Sequence, residues 1–224
     1  MTTQPFLILD FDGTLMDSVY VDVVAWQEAF VSHGYTVASW RIHRMNGAQG
    51  PLVREMLRRD VGLTLSDDAF EAIVASAINA YHRLSHLVQP TPGAATFLSL
   101  LNEKDIPWVI ATSGSGSTVN HLLHKIGVGS DNTIVITREH AKQAKPDPGI
   151  FLAAAKALKL PIGSGIVIGD STWDMIAAKR AGAMAVGVRT GGYGDDELFR
   201  TSAVAVYDDL AQLCHHLGDL GIQM

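Results

Sequence analysis

The 224-residue sequence predicts an α/β fold, a doubly wound parallel sheet with a helical insertion directly after its first strand. Three observations carry this prediction. Six short apolar runs, Leu7–Leu9, Trp108–Ala111, Thr133–Ile136, Ile166–Ile168, Ala185–Val188 and Ala203–Val206, are continuous rather than alternating, as expected of strands covered on both faces. Helical patterns fall between several of them, and strand alternating with helix implies a parallel sheet with helices on both sides. Residues 17–89 break that rhythm, with helical patterns and no convincing strand.

The elements can be justified in chain order. The first strand ends in two acids, Asp10 and Asp12, followed by Gly13 and Thr14. "SVYVDVVAWQEAFVSHG" reads as a helix ending at Gly34, and "GPLVREMLRRDVG" as one with Pro51 at its start and Gly62 past its end. A third helix opens at Ser66 with two acids behind it, which suits the positive end of the helix dipole. "QPTPG" then punctuates the chain and the strand–helix alternation begins. Ser117 can start a helix that Gly127 ends. Asp147 and Pro148 open another as N-cap and first-turn proline, and Ser171 or Thr172 a further one that Gly182 closes. The expected division is a core of residues 1–16 and 90–224 with an inserted helical domain over 17–89.

Composition excludes several classes. Apolar residues make up 47%, enough for a sizeable core and too many for wholesale disorder. A net charge of -6 argues against nucleic acid or an anionic membrane as the main partner, but not against a small anion, because a metal or one lysine can reverse the local field. A single cysteine, Cys214, fits a reducing compartment. No signal peptide and no membrane span is recognisable, so a cytoplasmic protein is expected. Nothing in the sequence speaks to oligomeric state.

In open parallel sheets, ligands bind beyond the carboxyl ends of the strands. The first strand is followed there by Asp10, Asp12 and Thr14, the second by Thr112 and Ser113, the third by a loop carrying Lys145, and the fourth by Gly169, Asp170 and Asp174. Carboxylates as close as Asp10 and Asp12 repel in a dry site, so something positive between them, or a proton on one, is expected. Acids offering only oxygen suit Mg²⁺, which prefers phosphate-bearing substrates. A carboxylate beside it can attack phosphorus and form an acyl phosphate, while a hydroxyl and a lysine hold the phosphoryl oxygens.

Asp-x-Asp-Gly-Thr at 10–14, Thr112, Lys145-Pro146 and Gly169-Asp170-x-x-x-Asp174 together resemble the haloacid dehalogenase superfamily of phosphohydrolases. The insertion resembles the small helical cap of its phosphoglycolate phosphatase and β-phosphoglucomutase branch, on a Rossmann-like core. The resemblance implies Asp10 as nucleophile and Asp12 as general acid for the leaving group, then base for water. It implies Thr112 as a hydrogen-bond donor to the phosphoryl group and Lys145 as the residue that orients the nucleophile. Mg²⁺ would be held by the Asp10 carboxylate, the Asp12 carbonyl and the Asp170 carboxylate, with Asp174 nearby or acting through water. "SGSGS", Ser113 to Ser117, lacks the Walker pattern and a strand-to-helix turn explains its glycines, although the N–H groups of that turn, at Ser113 and Gly114, can help bind phosphate. Arg41, His43, Arg44, Asn46 and Gln49, in "WRIHRMNGAQG" between cap helices, stand where such enzymes place a substrate-specificity loop, with Arg44 and Asn46 the chosen candidates.

Other features carry less. His121 and His124 lie one helical turn apart but lack an identifiable third ligand, and Cys214–His216 is read the same way. The tryptophans read as packing residues, although Trp40 in the insertion can line a pocket. Among the chemistries of the superfamily, Asp12 disfavours dehalogenation, and the absence of lysine between Asp17 and Pro92 excludes a Schiff-base phosphonatase. The mutases, and many phosphatases of the branch, carry histidine where this sequence has Asp22, so Asp22 departs from both patterns and weakens the mutase reading more. The expectation is therefore a Mg²⁺-dependent phosphatase acting on a small phosphorylated metabolite. The alternatives are β-phosphoglucomutase-like phosphoryl transfer and, from another class, a catalytically idle phosphate-binding or scaffolding protein.

Overall fold

The computed structural model describes residues 4–48, 50–129, 133–141 and 143–222. In chain order the elements are β1 (Phe6–Leu9), β2 (Met16–Asp17), α1 (Val19–Ser32), α2 (Ser39–Met45), α3 (Gly50–Met56), α4 (Asp67–Leu84), β3 (Gln89–Pro90), α5 (Ala94–Glu103), β4 (Trp108–Ala111), α6 (Gly116–Leu122), β5 (Val135–Ile136), α7 (Gly149–Leu158), β6 (Gly165–Gly169), α8 (Thr172–Ala181), β7 (Met184–Val188), α9 (Asp195–Arg200), β8 (Ala205–Tyr207) and α10 (Leu210–Cys214). They form two compact units, Met1–Asp17 with Pro90–Met224, and Ser18–Gln89.

The first unit is built on a six-stranded sheet of order β5-β4-β1-β6-β7-β8, every pair parallel. The chain winds outward from β1 through β4 to β5, then crosses to the other side of β1 for β6, β7 and β8. This reversal opens a crevice at the carboxyl end of β1, the place where such sheets bind ligands. The continuous apolar runs have the expected cause. Phe6 and Ile8 pack with Val109 and Val167 beneath Phe151 and Ala154 of α7 and Met175 and Ala178 of α8. Leu7 and Leu9 point to the opposite face by the two-residue period and are equally buried, so that face is covered too.

Caps place the helices that flank the crevice. The Ser171 hydroxyl accepts from the Asp174 amide (3.3 Å) to start α8, and Gly182 in the left-handed region ends it. The Gly149 amide donates to Asp147 (2.8 Å) at the head of α7. The cap of α6 is Ser115 rather than Ser117, because the Ser115 hydroxyl is the one that reaches an amide, that of Thr118 (3.3 Å). β5 is shorter than its apolar run, as befits an edge strand paired on one side only.

In the second unit α1 packs along α4, with Trp26 against both Phe30 and Phe70. Ser66 caps α4, accepting from the Ala69 amide at 3.2 Å. The segment from Trp40, expected as a loop, is helical in its first half. Ile42 and Met45, at i and i+3, are buried, and between them the His43 ring stacks on Tyr20 at 5.3 Å, which fixes a turn of helix there. Trp40 is 62% exposed, with the Arg41 guanidinium 4.4 Å over its ring, so it is not a core residue. Among the described residues, no helix is long and apolar enough to cross a membrane.

Candidate active site

The site grows from the end of β1. The Asp10 amide donates to the Ile168 carbonyl (2.9 Å), carrying the ladder with β6 one residue past Leu9 and setting the carboxylate at the rim. The chain then turns tightly. Leu15 and Met16 donate to the Phe11 carbonyl, and Gly13 donates to that of Met16 with a φ of 83° that disfavours side chains. β6 delivers Asp170 next to Asp10, and the first turn of α8 delivers Asp174. Thr112, one residue past β4, takes its register from a hydrogen bond of its amide to Ile136 (2.9 Å).

Lys145, 2% exposed, links these groups. Its ammonium donates to Asp10 Oδ1 at 2.5 Å and lies 2.6 Å from Asp174 Oδ1, with the Phe151 ring 5.2 Å away. The other Asp174 oxygen accepts from the Ser171 hydroxyl (2.6 Å) and amide (3.1 Å), so both its oxygens are engaged. Thr14 donates to Asp170 Oδ1 (3.2 Å). The Thr112 hydroxyl accepts from the Gly114 amide (2.9 Å) and donates to Asp12 Oδ2 (3.3 Å).

Burial pushes the Asp10 carboxyl up, against the pull of the Lys145 ammonium, to about 7. Burial, with the charges of Asp174 and Asp10, raises Asp170 well above the usual carboxylate range. Burial alone would pull the Lys145 ammonium down, but the Asp10 and Asp174 carboxylates hold it above its ordinary value. Asp10, Asp170 and Asp174 each bring an oxygen within 4.8 Å of the others. Three carboxylates against one ammonium leave a dry cluster with excess negative charge, which adds to burial in raising Asp10 and Asp170. A small divalent cation with a preference for oxygen fits this donor set.

The rim thus gathers Asp10, Asp12, Thr112, Lys145, Asp170 and Asp174, with Ser113 and Gly114 following Thr112; the Gly114 amide, expected to face phosphate, donates instead to the Thr112 hydroxyl. Arg44 and Asn46 belong to the helical unit. There the Asn46 amide donates to the Val19 carbonyl (3.3 Å), a bond that ties the end of α2 to α1. Gln49 lies outside the described residues. Sequence reasoning set Thr14 at the rim without a role and left three residues, Ser171, Thr190 and Gly191, out of the site. Thr14 holds Asp170 and Ser171 holds Asp174. The Thr190 hydroxyl donates to the Gly13 carbonyl, and Gly191 lies against the Asp170 carboxylate. The last two follow the carboxyl end of β7, so the rule that identified the other strand ends would have found them.

The parallel sheet thus presents acids, a hydroxyl and a buried lysine together at one rim. Residues 6–182 match the haloacid dehalogenase-like hydrolase family, and the chain belongs to it. The chain is 30% identical to the phosphoglycolate phosphatase of Neisseria meningitidis, over 83% of this chain and 80% of that one. It is 29% identical to hexitol phosphatase A of Escherichia coli, over 81% of each. A hydrolase from Pseudomonas syringae superposes with a TM-score of 0.93 at 40% identity, covering 97% of this chain and 99% of that one. The protein is a phosphate monoester hydrolase, similar to the phosphoglycolate and hexitol phosphatases.

Proposed function

We propose that the protein hydrolyses a small phosphate monoester, phosphoglycolate-like or sugar-phosphate-like, in a Mg²⁺-dependent reaction through an aspartyl phosphate on Asp10. The single observation that carries this reading is the buried pairing of Asp10 with Lys145, itself braced by Asp174. A lysine so placed pulls one carboxylate toward its ionised form and aims it, which a nucleophile needs and a merely structural acid does not. The named relatives support the substrate class, since one acts on phosphoglycolate and the other on a hexitol phosphate.

Asp10 attacks phosphorus, and the bond to the leaving oxygen breaks as Asp12 gives that oxygen a proton. Water then attacks the phosphoryl group, Asp12 takes its proton, and the Asp10–phosphorus bond breaks to restore the carboxylate. The Thr112 hydroxyl is already oriented by the Gly114 amide, so its proton can turn from Asp12 to a phosphoryl oxygen. The Asp10 and Asp170 carboxylates, with the Asp12 carbonyl, would hold the Mg²⁺, and Asp174 acts on the site through Lys145. When bound, the ion supplies charge neutralisation for the phosphoryl oxygens. Arg44 and Asn46 are proposed to contact the non-reacting part of the substrate.

A panel of phosphorylated metabolites, assayed for released phosphate, tests the reading, with Asp10→Asn as control. Turnover should fall by several orders of magnitude in the variant, as removal of a nucleophile produces. Near-native turnover by Asp10→Asn would exclude the covalent route. The Asp22 of this chain favours hydrolysis over phosphoryl transfer, because it offers no imidazole for gating the second half of the reaction. Stoichiometric conversion of β-glucose 1-phosphate to glucose 6-phosphate, primed by glucose 1,6-bisphosphate, would reverse that choice.

A further inference from the structure

The turn that follows β7 takes no part in the chemistry above, yet it touches the site twice. The Thr190 hydroxyl donates to the carbonyl of Gly13, the residue between Asp12 and Thr14. Gly191 is buried, and its φ lies outside the positive region, so the backbone does not call for glycine there. Space does. A Cβ at position 191 would lie 1.7 Å from Asp170 Oδ2 and 2.5 Å from Asp170 Cγ, whereas non-bonded heavy atoms settle at about 3.5 Å. The carboxylate therefore sits between Thr14, which donates to Oδ1, and the bare backbone of Gly191 on the Oδ2 side.

The turn itself is anchored. Arg189 makes a forked pair with Asp195 at the head of α9, Nε to Oδ1 at 2.6 Å and the terminal nitrogen to Oδ2 at 2.7 Å. Its other terminal nitrogen donates to Asp208, just past β8. A forked arginine fixes direction as well as distance. The Gly192 amide closes the turn on the Arg189 carbonyl (2.9 Å).

We infer that Thr190 and Gly191 are positioning residues for the metal site: one short turn fixes the Asp170 carboxylate and, through the Gly13 carbonyl, the loop that carries Asp12 and Thr14. This rests on the reading of Asp10, Asp12 and Asp170 as the cation's holders. Losing the Thr190 hydroxyl leaves the 12–14 loop free to drift from Asp170. A methyl at 191 pushes the carboxylate off its present position. Partners that orient metal-binding groups typically account for about 10- to 100-fold in affinity.

The experiment measures Mg²⁺ binding by titration calorimetry on wild type, Thr190→Val, Thr190→Ser and Gly191→Ala, with the thermal midpoint of each read in excess chelator. Thr190→Val should bind Mg²⁺ about 10-fold or more weakly with a chelated midpoint close to wild type. Thr190→Ser, which keeps the hydroxyl, should restore affinity, and Gly191→Ala, where it folds, should weaken binding further. Wild-type affinity in Thr190→Val would overturn the inference, as would a loss of midpoint without a loss of affinity. Failure of wild type to bind Mg²⁺ at all would instead sink the metal reading on which the inference rests.

Discussion

In the metal-free protein, Asp10 should make stability fall as pH rises, and Asp10→Asn should lessen that dependence, leaving the part that the raised Asp170 carboxyl contributes. The carboxyl is 5% exposed, and burial lifts it from 3.8 to about 7. Between those two values the folded chain holds a proton that the unfolded chain has lost. Stability therefore declines with rising pH across that window, the reverse of the usual salt-bridged acid. At about 1.4 kcal/mol per pH unit the displacement amounts to roughly 4 kcal/mol, an upper bound because neighbouring carboxyls share the proton. Asparagine fills the same space without titrating. Urea unfolding in excess chelator, at intervals from pH 4 to pH 8, gives the difference between variant and wild type. That difference should shift in favour of the variant by up to roughly 4 kcal/mol across the window. Parallel curves would refute the argument, since they would mean that Asp10 titrates alike in the folded and unfolded states.

Asp12→Asn should lower turnover about 10²- to 10⁴-fold on an alkyl phosphate, and far less in the first half-reaction on p-nitrophenyl phosphate, whose leaving group needs no proton. A burst of one equivalent of nitrophenolate would reveal the trapped phosphoenzyme, and equal losses on both esters would remove Asp12 from the acid role. Mg²⁺ should activate the enzyme, Mn²⁺ or Co²⁺ can substitute, and Ca²⁺ should support activity poorly because its larger, looser coordination misplaces the attacking oxygen; full activity in excess chelator would contradict this. Arg44→Ala should raise KM for the preferred metabolite more than for p-nitrophenyl phosphate, and equal effects would place Arg44 outside substrate recognition.

The sheet and most of the site were legible in the sequence because both obey local rules. A strand buried on both faces must be apolar throughout, so it ends visibly where polar residues resume, and Asp10, Thr112 and Asp170 announce the rim of the sheet. Helix ends were legible where one side chain decides them, as Ser66, Ser171 and Gly182 do. What escaped depends on packing between distant segments. In α2, His43 lies against Tyr20, a contact that no spacing within residues 39–45 encodes. Gly191 reads as an ordinary turn glycine until Asp170, 21 positions earlier in the chain, is seen to occupy the space of its missing side chain.

Two acids one residue apart would be redundant if their surroundings were the same, and they are not. Asp10 is buried against the Lys145 ammonium, and the ammonium is held in turn by Asp174, whose second oxygen is pinned by Ser171. A carboxylate in that grip, once ionised, is an electron-pair donor with a fixed direction. Asp12 is less buried and meets the Thr112 hydroxyl at a longer 3.3 Å, a neutral partner that can turn away. Asp12 can therefore take up and release a proton while the contacts around Lys145 stay in place. The proposed division of labour between nucleophile and acid–base residue thus follows from where Lys145 lies, in the loop ahead of α7, within reach of both Asp10 and the Asp174 that the first turn of α8 presents.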